Sequence, residues 1–516
     1  MRSAILFSLL AIVASASASA IEPAKRGGPT ILKMHQQAVA RDAGNPHRGL
    51  HRRQQADSAN STNNIPLQSA AWDFQYLVDI EVGTPPQNMT VLLDTGSTPL
   101  WVFTECDDPN DCGAAQRFNP NASTSLQRLG TDFVANYGGD WGTAAFSSNN
   151  GTKAKDVVKM GSFSSEVELG LVNSSIKWLN DSHAGIIGFG LPGEANAWWT
   201  QVLPQWAEKV FGVYMKLAPP AIGPKPQDVP NLATRHDGGE ISLGGVDQSK
   251  IDGDFTWVDA IYTPDPSATT PEGVTYITNG TDGLEGNSHW TVKLDAVEIA
   301  GKAVQGLNLS TAIFDSGGIG LMAPQDQLDI IVRTLNETYN ISIGEVEGAY
   351  SFGCNPEQKF PVLDFGYRFA NTSFPTPPGA FIRQIQTIDQ YAANLNSTEL
   401  QNAVKAAAAK ANQTHVCEAA LGLNSIWVIG PPWLAGYYLA HSVEEAHQPR
   451  VGIAQLKPEL RIATPDKITA TVNSTATNGT TPGGTSSTKP SGSVIGAVVS
   501  VPAVAALSGL ALALLL

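Results

Sequence analysis

The chain has 516 residues, of which 42% are hydrophobic and 15% charged, and this composition predicts that its middle part is globular with a large apolar core. A disordered middle region is excluded, since disordered segments are poor in apolar residues and rich in charge. The formal net charge of −15 argues against a nucleic-acid partner, because phosphates demand a basic surface.

Residues 1–20 are typical of a secretory signal peptide. Met1 and Arg2 give a basic start, an apolar run follows over residues 4–13, and small residues fill 14–20. The apolar run is too short and wrongly flanked for a membrane span, so cleavage is expected near Ala20. Fifteen Asn-x-Ser/Thr sequons in such a chain predict a glycosylated surface.

Residues 21–53 are polar and basic and contain no run that could build a core. Two dibasic pairs, Lys25-Arg26 and Arg52-Arg53, lie in this segment. In a secreted chain they favour a propeptide with processing sites. The alternative is a disordered arm in which the basic pairs are incidental.

From Trp72 onward the sequence is typical of a mostly-β body. Phe-Gln-Tyr-Leu-Val-Asp-Ile-Glu-Val at residues 74–82 has strand character, and a Gly-Thr-Pro-Pro-Gln turn leads to the next apolar run. Short strands with Gly and Pro turns recur to about Gln455. One clear helix interrupts them, where Thr-Glu-Leu-Gln at residues 398–401 resembles a capping box before the Ala-rich residues 403–411.

The last part of the chain predicts a stalk and a hydrophobic tail. Residues 458–493 are rich in Thr, Ser, Asn, Gly and Pro, which is typical of a flexible, O-glycosylated stalk. Residues 494–516 are apolar and uncharged, and the small residues 483–485 precede them across a polar spacer. This pattern favours a GPI signal that is exchanged for lipid, with a transmembrane helix as the alternative.

Four cysteines on a secretory route predict disulfides. Cys106 and Cys112 enclose a short loop, whereas Cys354 and Cys417 enclose a long one, and nested pairings remain open. No His or additional Cys stands nearby at the spacing of zinc ligands, so a metal site is not expected.

One pattern occurs twice in the body: two apolar residues followed by Asp, by Thr or Ser, and by Gly. The copies are Leu-Leu-Asp-Thr-Gly at residues 92–96 and Ile-Phe-Asp-Ser-Gly at residues 313–317. One such sequence is a common turn. Two copies in opposite halves, each after an apolar strand, predict two related lobes that contribute Asp94 and Asp315 to a shared cleft.

Such a carboxylate pair has a defined chemistry. Two carboxylates in contact cannot both ionise cheaply, so near acid pH they hold one proton between them. The charged member can take a proton from water while the protonated member polarises a peptide carbonyl. Gly96 and Gly317 allow backbone N–H groups to approach the carboxylates, and Thr95 and Ser316 offer hydroxyls that brace the loops.

On these residues the chain resembles the pepsin family of aspartic peptidases, over roughly residues 72–455. The first motif continues as Asp-Thr-Gly-Ser-Thr-Pro-Leu-Trp-Val and places Trp101 seven residues after the Asp. The sequence Phe-Val-Ala-Asn-Tyr-Gly is similar to the family's flap hairpin, which implies that Tyr137 and Gly138 lie over the substrate. The resemblance also implies that Trp101 belongs to this substrate-binding and flap group.

Further segments extend the resemblance to both halves. Residues 184–190 and 427–430 are similar to the apolar-Gly strands behind the two Asp loops, and residues 238–247 to the segment that crosses between lobes. The resemblance also implies one disulfide in each lobe, Cys106–Cys112 and Cys354–Cys417.

The resemblance implies an all-β, bilobal pepsin-like fold with the active-site cleft between two related lobes. It implies a monomeric aspartic endopeptidase that cleaves peptides at acid pH, is inhibited by pepstatin and needs no metal or organic cofactor. The anchored, sequon-rich architecture resembles fungal GPI-anchored, yapsin-like secreted enzymes at the plasma membrane or cell wall. The expected divisions are a signal peptide (1–20), a propeptide (21–53), an N-terminal lobe (67–246), a C-terminal lobe (247–457), a stalk (458–493) and a GPI-signal tail (494–516).

The sequence also departs from the family pattern. Ser97 can donate a hydrogen bond to Asp94, but Gly318 stands where the second motif usually has a hydroxyl residue. The flap continues Gly-Gly-Asp-Trp instead of Gly-x-Gly, and the second apolar-Gly strand meets Pro431-Pro432 instead of Asp. These departures motivate an alternative, a catalytically impaired pepsin-fold surface protein that binds glycan or protein.

Overall fold

The computed structural model describes most of the predicted body. The described residues are 64–70, 75–106, 116–137, 147–175, 183–191, 197–217, 236–261, 289–318, 320–346, 349–356, 362–377, 379–395, 397–444 and 449–461. All of them belong to one compact unit, Thr62–Leu516. The predicted signal peptide, propeptide and GPI-signal tail, and the stalk beyond Arg461, lie outside the described residues.

Strands dominate the described chain, as the turn and strand pattern predicted. The first ten are β1 (Asn64–Ala70), β2 (Gln75–Val82), β3 (Gln87–Asp94), β4 (Leu100–Phe103), β5 (Gln127–Tyr137), β6 (Ser147–Met160), β7 (Phe163–Ser175), β8 (Gly185–Gly188), β9 (Val210–Met215) and β10 (His236–Leu243). The next eight are β11 (Ile251–Asp259), β12 (Thr291–Lys293), β13 (Ala296–Ile299), β14 (Lys302–Ala303), β15 (Thr311–Phe314), β16 (Leu321–Ala323), β17 (Gly344–Val346) and β18 (Ala349–Cys354).

The remaining strands and the helices complete the described elements. The strands are β19 (Phe365–Phe369), β20 (Thr372–Pro375), β21 (Ile382–Thr387), β22 (His415–Ala419), β23 (Leu421–Leu423), β24 (Trp427–Ile429), β25 (Tyr437–Ser442) and β26 (Arg450–Leu456). The α-helices are α1 (Trp198–Val202), α2 (Gln325–Tyr339), α3 (Ile388–Asn394), α4 (Thr398–Lys410) and α5 (Pro431–Leu434). Short 3₁₀ turns lie at Pro120–Ala122, Leu203–Gln205 and Pro458–Leu460.

A 13-stranded sheet joins the two halves of the body. Its strand order is β11-β26-β25-β9-β10-β1-β2-β3-β8-β4-β7-β6-β5. Strands β9 and β25 are antiparallel neighbours, and every residue in both is buried. Because both faces of these strands are covered, neither strand alternates between apolar and polar residues, although β25 ends in the buried polar residues His441 and Ser442. The second half adds a five-stranded sheet, β12-β15-β24-β16-β23, and two four-stranded sheets.

The segment predicted to cross between the lobes, residues 238–247, lies partly in β10, which pairs with β1 and β9 and ends at Leu243. Gly239 has φ +98°, and a Cβ on it would lie 2.0 Å from the carbonyl oxygen of Tyr214. Glycine is therefore required at this position by both backbone conformation and close packing. The register of β1 against β10 shifts at this point, because Leu67 lies opposite Gly239 and Gln68 lies opposite Asp237.

The Ala-rich helix is present as predicted, but its cap was predicted one residue late. Ser397, not Thr398, caps α4 by accepting a hydrogen bond from the Leu400 N–H at 3.4 Å. The reciprocal capping box occurs instead at α3, between Thr387 and Gln390. Ser397 has the extended backbone that a cap requires, whereas Thr398 is already helical. Within the described ranges, no helix is long and apolar enough to cross a membrane.

Candidate active site

Each predicted Asp loop follows a strand that is flanked by a parallel partner. Asp94 ends β3, which runs parallel to β8 with Asp94 opposite Gly188. Asp315 follows β15, which runs parallel to β24. The N–H of Phe189 donates to the carbonyl of Asp94 at 2.7 Å, and the N–H of Asp315 donates to Ile429 at 3.0 Å. The two halves therefore present their carboxylates in equivalent ways, as the sequence repeat predicted.

The two loops are bound to each other by hydroxyl and backbone groups. The Ser316 hydroxyl donates to the carbonyl of Leu93 at 2.7 Å and accepts from the Thr95 N–H at 2.9 Å. In return, the Thr95 hydroxyl donates to the carbonyl of Phe314 at 3.0 Å and accepts from the Ser316 N–H at 2.9 Å. Both side chains are buried, so these bonds fix the spacing of the loops in a dry environment.

Gly96 and Gly317 lie against the carboxyl group of the opposite loop. A Cβ on Gly96 would be 2.3 Å from Cγ of Asp315, and a Cβ on Gly317 would be 2.7 Å from Oδ1 of Asp94. Neither glycine could carry a side chain without moving the opposite carboxyl group. The two motifs thus bring Asp94 and Asp315 together across the loop pair, and the glycines make this approach possible.

Hydrogen-bond donors to the two carboxyl groups are unequal. Asp94 accepts from the Gly96 N–H at 2.9 Å through Oδ1 and from the Ser97 hydroxyl through Oδ2. Asp315 accepts from the Gly317 N–H at 2.7 Å through Oδ1, whereas the Gly318 N–H donates to the backbone carbonyl of Asp315 at 3.2 Å. Only Asp94 has a side-chain hydroxyl donor in the described part of its loop, because Gly318 replaces the residue that would supply one to Asp315.

Asp94 is buried and Asp315 is partly buried, and the two do not share charge equally. Burial, and then the charge of Asp94, raise the pKa of Asp315 well above its ordinary value. Asp315 therefore keeps a proton when Asp94 is ionised. The arrangement holds one acid and one base in contact.

Tyr137 ends β5 and lies over the first Asp loop. Its hydroxyl accepts a hydrogen bond from Nε1 of Trp101 at 2.7 Å. Burial and the charge of Asp94 raise the pKa of Tyr137. The structure thus brings Tyr137 and Trp101 together near Asp94, whereas Gly138, the next residue of the predicted flap, lies outside the described residues.

The disulfide predicted in the second half is present. Cys354 and Cys417 are bonded, with their Cα atoms 5.9 Å apart, and join β18 to β22. Cys106 is also disulfide-bonded. Its predicted partner, Cys112, lies outside the described residues, so that pairing stays a prediction.

The departure at Pro431-Pro432 has a structural account. Pro431 is the first residue of α5, and Gly430 precedes it with an extended backbone. Proline is favoured at this position because the first helical N–H has no partner within the helix. The second apolar-Gly strand therefore ends in a buried helical turn, and its pairing with β15 is intact.

Sequence reasoning missed His289, which lies next to the Asp pair. The nine histidines are scattered along the chain, and no motif includes this one. Its position follows from the pairing of β12 with β15, and no local pattern in the sequence reveals that register. No group of three or more His, Cys, Asp or Glu side chains in the described part of the chain could hold a metal ion.

Comparison with known proteins agrees with this geometry. Residues 75–456 match the family described as eukaryotic aspartyl protease. The chain is 26% identical to cathepsin E-B of Xenopus laevis over 300 residues, which cover 57% of this chain and 63% of that relative, less than two thirds of its length.

Two other relatives match over a longer region. Gastricsin of Mus musculus is 25% identical over 396 residues, 75% of this chain and 82% of the relative. Pregnancy-associated glycoprotein 1 of Sus scrofa is 24% identical over 392 residues, 74% and 80%. With paired Asp loops on a bilobal β-fold and a family match over most of its length, the chain belongs to the eukaryotic aspartyl protease family.

Proposed function

We propose that the protein is an aspartic endopeptidase that hydrolyses peptide bonds at acid pH with a water activated by Asp94 and Asp315. The observation that carries this proposal is the pairing of Asp94 and Asp315 on two loops that are hydrogen-bonded to each other, where Gly96 and Gly317 lie against the opposite carboxyl groups. Such a pair supplies a general base and a general acid at one point of a cleft. The fold alone would not support an activity.

In the proposed reaction, Asp94 is the base and Asp315 is the acid. Asp94 accepts a proton from water as the water oxygen attacks the peptide carbonyl carbon, and Asp315 donates its proton to the carbonyl oxygen. The C–N bond then breaks as the amide nitrogen takes the proton from Asp94 and a hydroxyl of the tetrahedral intermediate returns a proton to Asp315, which releases one carboxylic acid and one amine and restores the pair. The Thr95 and Ser316 hydrogen bonds hold both carboxyl groups in place throughout.

The proposed substrate is an extended peptide that lies beneath Tyr137. An extended chain can add to a β-structured cleft through main-chain hydrogen bonds, while pockets select side chains. The hydrogen bond from Trp101 orients the Tyr137 hydroxyl, so this side chain is held in position before substrate arrives. Pepstatin, a peptide-like inhibitor of the family, is expected to bind the same cleft.

The proposal includes a cellular route that rests on sequence alone. Residues 1–20 direct the chain to the secretory pathway, residues 21–53 form a propeptide, and residues 494–516 are exchanged for a GPI lipid. The mature enzyme would then act as a monomer at the plasma membrane or cell wall, or after release.

A fluorogenic peptide assay at about pH 4, with and without pepstatin, tests the proposal. We expect cleavage that pepstatin abolishes. A folded, correctly processed protein that cleaves no peptide in a broad library would contradict the proposal. If that inactive protein bound glycan or protein, the result would favour the alternative of an impaired surface-binding protein, motivated by Gly318 and the altered flap sequence.

A further inference from the structure

His289 lies two residues before β12, and the pairing of that strand with β15 brings it near the Asp pair. Thr291 of β12 lies opposite Ile313 of β15. The pairing continues beyond β12, because the N–H of Phe314 donates to the carbonyl of Trp290 at 3.1 Å. His289 precedes Trp290, and its carbonyl accepts a hydrogen bond from the Thr291 N–H at 2.8 Å, so the chain turns directly before β12. The position is firmly held, since Nε1 of Trp290 donates to the carbonyl of Phe189, next to the first Asp loop, at 2.8 Å.

The His289 ring is partly buried, and one of its nitrogens is unsatisfied. Nδ1 is buried and has no hydrogen-bond partner among the described residues. Burial lowers the pKa of His289, and the charge of Asp94 opposes this by raising it. Asp94 is the charged group that acts on this ring among the described residues, and the residue after His289 is hydrogen-bonded to Phe314, which precedes Asp315. His289 is therefore a third ionisable group at the cleft.

From this geometry we infer that His289 is a specificity-determining residue that admits an acidic side chain, Glu or Asp, beside the scissile bond. The inference rests on the proposed function, because it concerns the substrate of the same cleft. A buried nitrogen without a partner is costly, so a substrate group that bonds it contributes directly to binding. A substrate carboxyl would otherwise be repelled by ionised Asp94.

The pair formed by His289 and a substrate carboxyl group can exist at the acid pH of the proposed reaction. A carboxylic acid bonded to a neutral imidazole and a carboxylate bonded to an imidazolium carry the same single proton. The pair therefore persists in either form, with the proton on whichever group the surroundings favour. It is lost at low pH, when both groups are protonated, and at high pH, when both are deprotonated beside charged Asp94. A preference for acidic substrates should thus pass through a maximum as pH rises.

Pairs of fluorogenic peptides that differ at a single residue, Glu in one and Gln in the other, test this inference. The residue is placed in turn on each side of the scissile bond, and kcat/KM is measured from about pH 3 to about pH 7. At one of the two positions we expect the Glu:Gln ratio to reach about 10 in the parent enzyme, equivalent to about 1.4 kcal/mol. In His289→Gln and His289→Phe the Glu:Gln ratio of kcat/KM should fall to about 1 or below. It should decline steadily as pH rises, because the substrate Glu ionises and is repelled by Asp94. His289→Phe keeps the ring, so it separates lost packing from lost bonding.

Lys293→Gln is the matched control, since it removes a cation from the far end of β12 whose side chain is 76% exposed. It should leave the ratio unchanged. The inference is overturned if both His289 variants keep the parent ratio, or if the parent favours Gln on both sides. Should the parent cleave no peptide, the proposed function fails separately. In that case the Glu and Gln peptides are made with a reduced, uncleavable scissile amide, and calorimetry measures their binding. The ratio of the two affinities, in the parent and in the His289 variants, then tests the inference.

Discussion

At the residue scale, the two acidic loops differ most in the hydroxyl that Ser97 supplies to Asp94. Gly318 stands in the equivalent place beside Asp315 and has no side-chain donor, and its N–H donates to the backbone carbonyl of Asp315. A donor to a carboxylate stabilises the ionised form, so its absence leaves the proton more firmly on Asp315. Loss of that proton from the pair sets the alkaline limb of the proposed activity.

Gly318→Thr should restore the missing donor and move the alkaline limb of kcat/KM toward acid. A Cβ at this position would lie 3.3 Å from both the backbone carbonyl oxygen and Oδ2 of Asp315 and 3.4 Å from Cγ1 of Val428, so these neighbours must move by a few tenths of an ångström to admit the side chain. The shift should approach one pH unit, about 1.4 kcal/mol, if the hydroxyl aligns. A pH profile of kcat/KM measures it.

Gly318→Ala is the control for that profile, because it adds the Cβ without the hydroxyl. Its alkaline limb should stay with the parent or move slightly toward alkaline pH, since a methyl group excludes water from Asp315. If the Thr and Ala profiles coincide, the proposed asymmetry of the pair is wrong.

The sequence predicts this loop chemistry because its determinants are local. Asp94 and the residues that bond it lie within three positions of one another, and a second motif repeats the arrangement. His289 could not be found in this way. Its place near the pair depends on the pairing of β12 with β15 and on the bond from the Phe314 N–H to the Trp290 carbonyl, and no sequence spacing encodes that register.

At the element scale, β25 contains a buried histidine with an unusual environment. The His441 ring stacks on Phe211, with centroids 4.5 Å apart, and meets Trp290 edge-on at 4.8 Å. Neither ring nitrogen has a hydrogen-bond partner among the described residues. Burial lowers the pKa of His441 from 6.5 to about 3. The ring is therefore neutral in the folded protein through most of the acid range.

His441→Leu should make the protein less sensitive to acid. The unfolded chain binds a proton near the ordinary pKa of 6.5, and the folded chain does so only near 3, so stability is lost as pH falls between these values. The loss is about 1.4 kcal/mol for each pH unit within the window. Thermal unfolding at about pH 7 and about pH 4 should show a smaller fall in Tm for the variant. Equal falls in parent and variant would show that His441 does not titrate this way.

Helix α4 illustrates the limit of local prediction. The Ala-rich run predicts the helix, since alanine has the highest helix propensity. The exact cap was not predictable, because Ser397 and Thr398 are both good capping residues and the turn after α3 decides between them. The predicted capping-box sequence was one residue out of place.

At the scale of the whole molecule, the internal repeat predicted two lobes, but it did not predict the sheet that joins them. That sheet places β9 and β10 beside β25 and β26, which lie about two hundred residues later in the chain. The local sequence of β25 does not predict that this strand pairs with β9. Pairing between such distant strands is decided by the packing of the complete fold.

Activation of the whole chain is expected to require removal of the basic arm at Arg52-Arg53. A basic segment can cover an acidic cleft at neutral pH and lose its hold as carboxylates protonate. N-terminal sequencing of active enzyme should therefore start near Gln54. Replacing both arginines by glutamine should delay the appearance of activity. Fully active enzyme that begins at Ile21 would contradict this prediction.

Attachment to the cell surface is expected to depend on residues 494–516. If they are exchanged for a GPI lipid, phospholipase treatment should release the protein, and mass spectrometry of the surface form should find no peptide from that range. Peptides recovered from Val494 onward would instead favour a membrane-spanning tail.

The central claim is that Asp94 and Asp315 act as one acid–base pair, and the activity of two isosteric variants tests it most directly. Asp94→Asn and Asp315→Asn each remove the shared proton while keeping side-chain shape, so kcat/KM for peptide cleavage should fall by at least about a thousandfold in both. Circular dichroism and thermal unfolding confirm that each variant is folded. Loss of activity in both folded variants is the predicted result, and substantial cleavage by either one would contradict the account.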